Sequence, residues 1–589
     1  MIPLATVSGI ATTTPEMIDW FARNVPVSVI TTKSIQEEPN PGNREPVITE
    51  PEPGSFGNAV GLRNPGVTAA SAEFRALASR RADWPDGIRL NISIAANDPT
   101  GFARLVSELD AFADILELNL SCPHAHGGYG SDIGRDPVLT AECVAAAVMA
   151  TGKTGRTVPI YAKLTPNTDR IGEIARIAVE AGAAGIVAIN TAGPSQYRDP
   201  SSGEIVLTNP APSRAIERGQ EEEYRGRGGR SGRWIRERAL ECVREIRATV
   251  GTEIPIIGMG GVESPEDARA MVRAGASIVG IGSVLARVDQ REWPAFFAAT
   301  TAIGETPVAA RSPTVVLRDD AGMRHRPCRV QARRELGEGF FELELAEPLP
   351  FHAGQTVFLW VPPVGEKPFS PAVAEPATFL IRRRGPVTRA LGELTPGDTV
   401  YLRGPYGRGV GESDLIPAPG GGPVGGGPAE GGTGSGVAAA GRALVLAAGT
   451  GLAPVPALLG VLAAAGYEAE LWWGVRSVAV VTPLDGAVTE RGVTVKRVND
   501  NGEEGRVLRL FAEEGAPAPD LVVAIGPEPF MARAAEIARS RGVPPERVLL
   551  SLEKTMLCGV GLCGLCGIDG RLTCQYGTFV CVGRSHEMC

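Results

Sequence analysis

No run of about 18 apolar residues occurs anywhere in the 589-residue chain, so no membrane-spanning helix is expected. No basic block occurs either. Lys and Arg number 58 against 67 Asp and Glu, a formal charge of −9, which is a poor basis for gripping phosphate backbones. Histidine is rare, with 5 residues, which disfavours a His-ligated metal centre. The opening MIPLATVSGIATTTPE lacks a basic region followed by a long apolar stretch, so it does not read as a signal peptide and a cytoplasmic chain is expected. Cysteine, at 10 residues, is too sparse for a disulfide scaffold, yet six of the ten fall in the last 32 residues. In a cytoplasmic chain such a cluster points to metal ligation before disulfides. Hydrophobic residues at 43% and charged residues at 21% exclude a largely disordered chain. The length predicts about three to five domains.

Residues 1–305 alternate short β-branched runs (VSVITTK, IRLNISIA, ILELNLS, VPIYAKLT, GIVAINT, IPIIGMGG, SIVGIGS) with helical stretches such as SPEDARAMVRAGA. That alternation predicts parallel strands with crossover helices. At least seven strands in about 300 residues suit a closed (β/α)8 barrel, with an open doubly wound sheet as runner-up. Residues 312–412 change texture: HRPCRVQARREL, GFFELELAEPL and GQTVFLWVP read as antiparallel strands of a small β-barrel. Residues 413–441 are rich in Gly, Pro and Ala and read as a flexible insert. A second α/β pattern covers 442–550, and a cysteine-rich tail covers 551–589.

Several segments carry chemistry. IPIIGMGGV and SIVGIGS each end a buried strand in glycines at a helix start, where bare N–H groups can cradle a phosphate. Ordinary Gly-rich turns are the alternative, weakened by two such loops in tandem. LNLSCPH puts Asn119 and Cys122 at a strand's C-terminal end, where barrel active sites are built. A thiol there can move a proton in surroundings that favour thiolate, although a lone Cys is more often a packing residue. Lys33, Asn58, Lys163, Asn190 and Thr191 stand at or beyond other strand ends or in polar turns. Converging amides with two lysines suit a planar, carbonyl-rich ligand and an anionic flavin. Cys143 and Cys242, on expected helices, read as packing residues.

TTKS, NAVGLRNPG, LNLSCP, KLTPN, INT, GGRSG, GMGGV and GIGS follow in order the motifs of the dihydroorotate dehydrogenase family, over most of residues 5–285. The resemblance implies a TIM barrel that binds FMN. It places Ser8, Gly9, Lys33, Ser34, Asn91, Asn119 and Lys163 on the flavin. Ser231 and Gly232 would meet its ribityl chain, and Gly260, Gly261, Gly282 and Ser283 its phosphate. Substrate would be met by Lys33, Asn58, Gly61, Leu62, Asn119, Asn190 and Thr191. Cys122 would be the general base, with Lys33 beside it in the catalytic set. His124 stands where the family usually has Asn, and SCPH resembles the flavin barrel of dihydropyrimidine dehydrogenases. That relative carries its acid–base Cys on the following loop, where this chain has Ile133. The segment 192–227 is longer than the family pattern leads one to expect.

The second half resembles ferredoxin–NADP reductase-like proteins. Lys367, Pro368, Phe369 and Ser370 would hold FAD, with Gly385 and Thr388 on its pyrophosphate. Lys367 stands where Arg is usual and offers a point charge in place of a fork. LVLAAGTGLAP is a strand, a Gly turn and a helix start, so Gly449, Gly451 and, later, Gly526 read as a nicotinamide pocket. No basic cluster awaits a 2′-phosphate, which favours NAD. Cys558-x4-Cys563-x2-Cys566 matches plant-type [2Fe–2S] spacing. Cys574 is taken as the fourth ligand over Cys581, because LTCQYGTF resembles the electron-transfer subunit of dihydroorotate dehydrogenase; Cys581 and Cys589 are then spare. A four-Cys zinc site is the alternative.

The whole chain thus resembles a fusion of the catalytic and electron-transfer subunits of the NAD-linked enzyme. The expected activity is oxidation of dihydroorotate to orotate, with electrons passing from FMN through [2Fe–2S] and FAD to NAD. The alternative is an NAD(P)-linked dehydrogenase or reductase of another cyclic dihydropyrimidine, such as dihydrouracil. No nucleic acid or membrane partner is expected, and the resemblance implies a homodimer.

Overall fold

The computed structural model describes residues 1–120, 133–152, 155, 157–207, 226–301, 315–411, 414–415, 441–475, 484, 488, 493–499, 506–513, 515 and 517–583. The chain divides into two compact units. The first comprises Met1–His325 with Met556–Leu572, and the second Arg326–Thr555 with Thr573–Cys589. Among the described residues no helix is long and apolar enough to cross a membrane.

The first unit is built on a closed eight-stranded parallel barrel, as the alternating pattern predicts. Its strands are β1 (Leu4–Thr6), β2 (Val29–Thr31), β3 (Arg89–Ile94), β4 (Ile115–Asn119), β5 (Ile160–Lys163), β6 (Gly185–Ala188), β7 (Ile256–Met259) and β8 (Ile278–Ile281). They follow one another around the ring in chain order, and β8 closes onto β1 through Leu4 opposite Val279. Most strand residues are buried on both faces, which is why the strands read as near-continuous apolar runs. Several crossover helices begin with a polar cap followed by Pro. Thr14, Asp98, Asp136 and Ser264 each accept a backbone N–H from the first turn, and Pro15, Pro99, Pro137 and Pro265 occupy the first helical position. Pro costs nothing there because that N–H has no helical partner.

The long segment after β6 has a structural explanation. Ala192–Arg198 and Arg227–Gly232 join Ile48–Glu52, Ser55–Asn58 and Ile205–Val206 in a five-stranded sheet. Gly229 pairs with Asn58 and Ser231 with Phe56, so two distant excursions from the barrel are stitched together. The second unit has a seven-stranded antiparallel sheet whose long strand Arg326–Gly337 is bulged twice. Its core includes Phe341, Leu343, Leu359, Phe379 and Leu402. A six-stranded sheet follows, with Gly441–Ala448 central and parallel to Tyr467–Val475 and Leu521–Ile525. Phe579–Cys581 is its antiparallel edge.

Candidate active site

The C-terminal ends of the barrel strands open onto a cavity of about 1400 Å³, counting its space open to solvent. Each strand delivers its polar residues just as its hydrogen-bonded ladder ends. Strand β2 runs out into Lys33 and Ser34, β4 ends on Asn119, β5 ends on Lys163, and β6 leads to Asn190 and Thr191. All six line the cavity, with Ser8 and Gly9 from the turn after β1. The Lys33 ammonium passes close over that turn: a Cβ on Gly9 would sit 2.9 Å from its Nζ. The added sheet supplies Asn58, Gly61 and Leu62 with Ser231 and Gly232. The Asn58 amide donates to the Gly229 carbonyl at 3.3 Å, so the strand pairing also orients this side chain.

Gly260 and Gly261, which follow β7, and Gly282 and Ser283, which follow β8, line the same cavity. Gly261 has φ +69° and its missing Cβ would lie 2.8 Å from the Gly232 carbonyl, so a side chain there is excluded twice over. Amides, ammonium groups and bare backbone turns lining one cavity fit the chemistry of a flavin mononucleotide, with its carbonyl-rich ring and its phosphate.

Asn91 is not brought to this cavity. It sits in the middle of β3, wholly buried, and donates to the Thr31 hydroxyl at 3.1 Å and to Glu117 at 3.3 Å. Cys122 and His124 lie outside the described residues. Glu117 has no role in the sequence reading, yet it is fully buried with the Lys163 ammonium at 3.5 Å. The only signal was a charged residue inside an apolar parallel strand.

The cysteine-rich loop contributes to the same unit. Leu557, Leu562, Cys563 and Leu565 line the cavity. The Thr13 hydroxyl donates to the Cys563 carbonyl at 2.7 Å, and the Ala11 N–H to the Leu562 carbonyl at 2.8 Å. Gln290, fully buried, donates to the Gly570 carbonyl at 2.7 Å and accepts from the Leu572 N–H at 2.9 Å. Cys558 and Cys563 lie with sulfurs 3.5 Å apart, and the Val560 and Cys563 N–H groups point at the Cys558 sulfur from 3.4 Å. The hydrogen bond to Cys558, burial and the neighbouring Cys558 and Cys566 all push the Cys563 thiol up. Cys566 is buried as well, and Cys574, in the second unit, is buried on the short helix Thr573–Tyr576. Among the described residues no three His, Cys, Asp or Glu side chains converge as metal ligands. Backbone N–H groups aimed at a cysteine sulfur in a buried loop are nevertheless the donor chemistry an iron–sulfur cluster uses.

In the second unit a separate cavity lies at the carboxyl ends of the parallel strands. Gly449, Gly451, Gly474 and Gly526 line it, and the Trp473 indole N–H fixes the Gly449 carbonyl at 3.0 Å. This is the place where an open α/β sheet binds nucleotides. Lys367, Pro368, Phe369, Ser370, Gly385 and Thr388 are not among its lining residues. The Thr388 hydroxyl instead accepts from the Arg384 and Gly385 N–H groups at 2.8 and 3.0 Å, capping the helix Pro386–Leu391. The cavity also gathers Arg382, Arg384, Arg509 and Arg533 with Glu338, Glu528 and Glu553. Arg382 and Arg384 belong to the run Arg382-Arg383-Arg384, and Arg509 and Arg533 come from two later helices.

A family model described as dihydroorotate dehydrogenase matches residues 2–293. The catalytic subunit of dihydroorotate dehydrogenase B (NAD(+)) from Methanothermobacter thermautotrophicus is 37% identical over 239 residues, 41% of this chain and 69% of that relative. The subunit of the same description from Methanopyrus kandleri is 36% identical over 269 residues, 45% of this chain and 76% of the relative. That from Pyrococcus horikoshii is 37% identical over 266 residues, 45% and 77%.

Proposed function

The chain belongs to the dihydroorotate dehydrogenase family, and from that premise we propose that it oxidises dihydroorotate to orotate and passes the electrons to NAD. The observation that carries the reading is one cavity lined by Lys33, Asn58, Asn119, Lys163, Asn190 and Thr191 together with two glycine turns. Lys33, Ser34, Asn119 and Lys163 would hold the flavin ring region, Ser231 and Gly232 its ribityl chain, and Gly260, Gly261, Gly282 and Ser283 its phosphate. FMN, when bound, would supply the hydride acceptor, and a [2Fe–2S] cluster, FAD and NAD would supply the onward path.

The chain's own residues bind and orient. Asn58, Asn119, Asn190 and Thr191 offer amide and hydroxyl groups of both polarities to the alternating carbonyls and N–H groups of a flat cyclic imide. Lys33 offers a cation to its carboxylate. Cys122 takes the carbon-5 proton as general base. An unperturbed thiol titrates near pH ~8.5, so the rate is expected to rise with pH below that value. Cys558, Cys563 and Cys566 would ligate the cluster, with Cys574 as the fourth ligand read from the sequence. Gly449, Gly451 and Gly526 would approach NAD; Lys367, Pro368, Phe369, Ser370, Gly385 and Thr388 are the FAD residues read from the sequence.

The test is turnover with dihydroorotate and with dihydrouracil, for the purified chain and for Cys122→Ala. The proposal expects activity with dihydroorotate, a loss of about 100-fold or more in the variant, and none with dihydrouracil. Turnover of dihydrouracil alone would move the chain to the other ring system.

A further inference from the structure

Glu117 is the third residue of β4 and is fully buried inside the barrel unit. Its contacts among the described residues come from donors. Ser93 Oγ lies 2.9 Å from Oε1, Lys163 Nζ 3.5 Å from Oε1, and Asn91 Nδ2 3.3 Å from Oε2. A carboxylate only accepts, so the one Ser93 hydroxyl proton must point at Glu117. That fixes the next link: in the 2.9 Å contact between Ser34 and Ser93, Ser34 is the donor. Having spent its proton, Ser34 can only accept from Asn119, 3.1 Å away, so Asn119 turns its Nδ2 toward Ser34. Its Oδ1 is thereby left to accept from Asn190 Nδ2 at 3.2 Å. The chain is anchored at both ends: the Thr191 N–H donates to Asn190 Oδ1 at 2.9 Å and so turns Asn190 Nδ2 toward Asn119, while the Glu117 carboxylate fixes the directions of the Ser93 and Ser34 hydroxyls.

We propose that Glu117 is a positioning residue: its carboxylate fixes the hydroxyl directions of Ser93 and Ser34, so that Ser34 receives and holds the Asn119 amide, and it holds the Lys163 ammonium as a counter-charge at the edge of the cavity. The inference rests on the flavin and dihydroorotate reading of that cavity and assigns it a residue which touches neither ligand. Two consequences separate. Through Lys163 the carboxylate tempers the positive charge available to a reduced flavin, which carries more negative charge than the oxidised form. Through Ser93 and Ser34 it presents a fixed pattern of donors and acceptors to the substrate ring.

Glu117→Gln is close in shape. Its amide would face the Asn91 amide, and Asn91 can turn over, since its Oδ1 has no hydrogen-bond partner among the described residues. Ser93→Ala cuts the relay and leaves the Glu117–Lys163 pair in place. Both would be made in the full chain loaded with FMN. The measurements are the flavin midpoint potential and the dissociation constant of orotate read from the flavin spectrum. Glu117→Gln is expected to favour the reduced flavin at least tenfold, a positive shift of about 30 mV for a two-electron couple. Ser93→Ala is expected to weaken orotate binding at least fivefold, with the reduced-to-oxidised ratio within twofold of the parent. A purely structural role would lower the melting temperature and move neither readout.

A reduced-to-oxidised flavin ratio in Glu117→Gln within twofold of the parent overturns the proposal, as does unchanged orotate affinity in Ser93→Ala. If Glu117→Gln fails to retain flavin, the Ser93→Ala affinity decides alone. A parent protein that binds FMN but not orotate would instead defeat the dihydroorotate reading, and the potential comparison would still test Glu117.

Discussion

Replacing Arg403 with Met is predicted to destabilise the second unit by about 3–5 kcal/mol. Arg403 and Glu366 are 1% and 0% exposed. The guanidinium grips the carboxylate as a fork, Nε at 3.0 Å and Nη2 at 2.5 Å, and Nη1 donates to the Tyr406 hydroxyl at 3.1 Å. It also lies 3.9 Å from the centroid of the Phe358 ring. Burial by itself disfavours the cation, but the charge of Glu366 outweighs it and holds Arg403 above its ordinary pKa. Methionine keeps much of the aliphatic packing and strands a desolvated carboxylate, which is the dominant cost. Loss of the cation–π contact adds about 0.5–2 kcal/mol. For a unit of this size each kcal/mol moves the melting temperature by about 2–4 °C, so 3–5 kcal/mol corresponds to a fall of roughly 6–20 °C. Calorimetry of the full chain reads it. The double variant Arg403→Met, Glu366→Leu should recover most of the loss, because no charge is left buried. A single-variant loss under about 1 kcal/mol, or a double variant no better than the single, refutes the reasoning.

Burial pushes the Cys143 thiol up to about 12, and Cys242 and Cys328 up to about 11 each. All three should therefore escape iodoacetamide at pH ~8 in the native protein and react once it is unfolded, as peptide mass spectrometry can score; native labelling at the rate of a free thiol contradicts this. Burial raises the pKa of Asp199, but the hydrogen bond and charge of His325, with Ser202, hold it below its ordinary value. A carboxylate depressed on folding adds stability above its unfolded pKa and loses it as pH falls through the folded one. Asp199→Asn should thus cost about 1–3 kcal/mol at pH ~7, and the gap in melting temperature should close as pH drops below ~4; a gap independent of pH would sink the idea. Gln290→Ala removes both bonds to Gly570 and Leu572, worth about 1–3 kcal/mol. Amide hydrogen exchange in Met556–Leu572 should accelerate roughly 5- to 150-fold, and unchanged protection would show the loop is held by other contacts.

The barrel was legible because its physics is local: doubly buried parallel strands are apolar throughout, and Thr-Pro, Asp-Pro and Ser-Pro pairs mark helix starts. Most cavity residues were legible for a related reason, since polar residues such as Lys33, Asn119, Lys163 and Asn190 stand where apolar strands end. Asn91 lies mid-strand, donates toward Glu117 and is not among the residues that line the cavity. Glu117 itself was hidden between leucines, and its meaning depends on Lys163 from the next strand and Ser93 from the one before. The strands AGPSQYR and RGGRSG have no apolar alternation, and RGGRSG pairs with Ser55–Asn58 far back in the chain, so the segment after β6 read only as excess length. The link from Thr13 to Cys563 spans 550 residues, a separation no sequence window can register.

The most direct test is anaerobic mixing of the purified, cofactor-loaded chain with dihydroorotate and NAD, following flavin absorbance and NADH together. The account predicts flavin bleaching followed by NADH, both weakened in Cys122→Ala. Bleaching by NADH with no response to dihydroorotate would contradict it, leaving an electron-transfer half attached to a barrel that acts on something else.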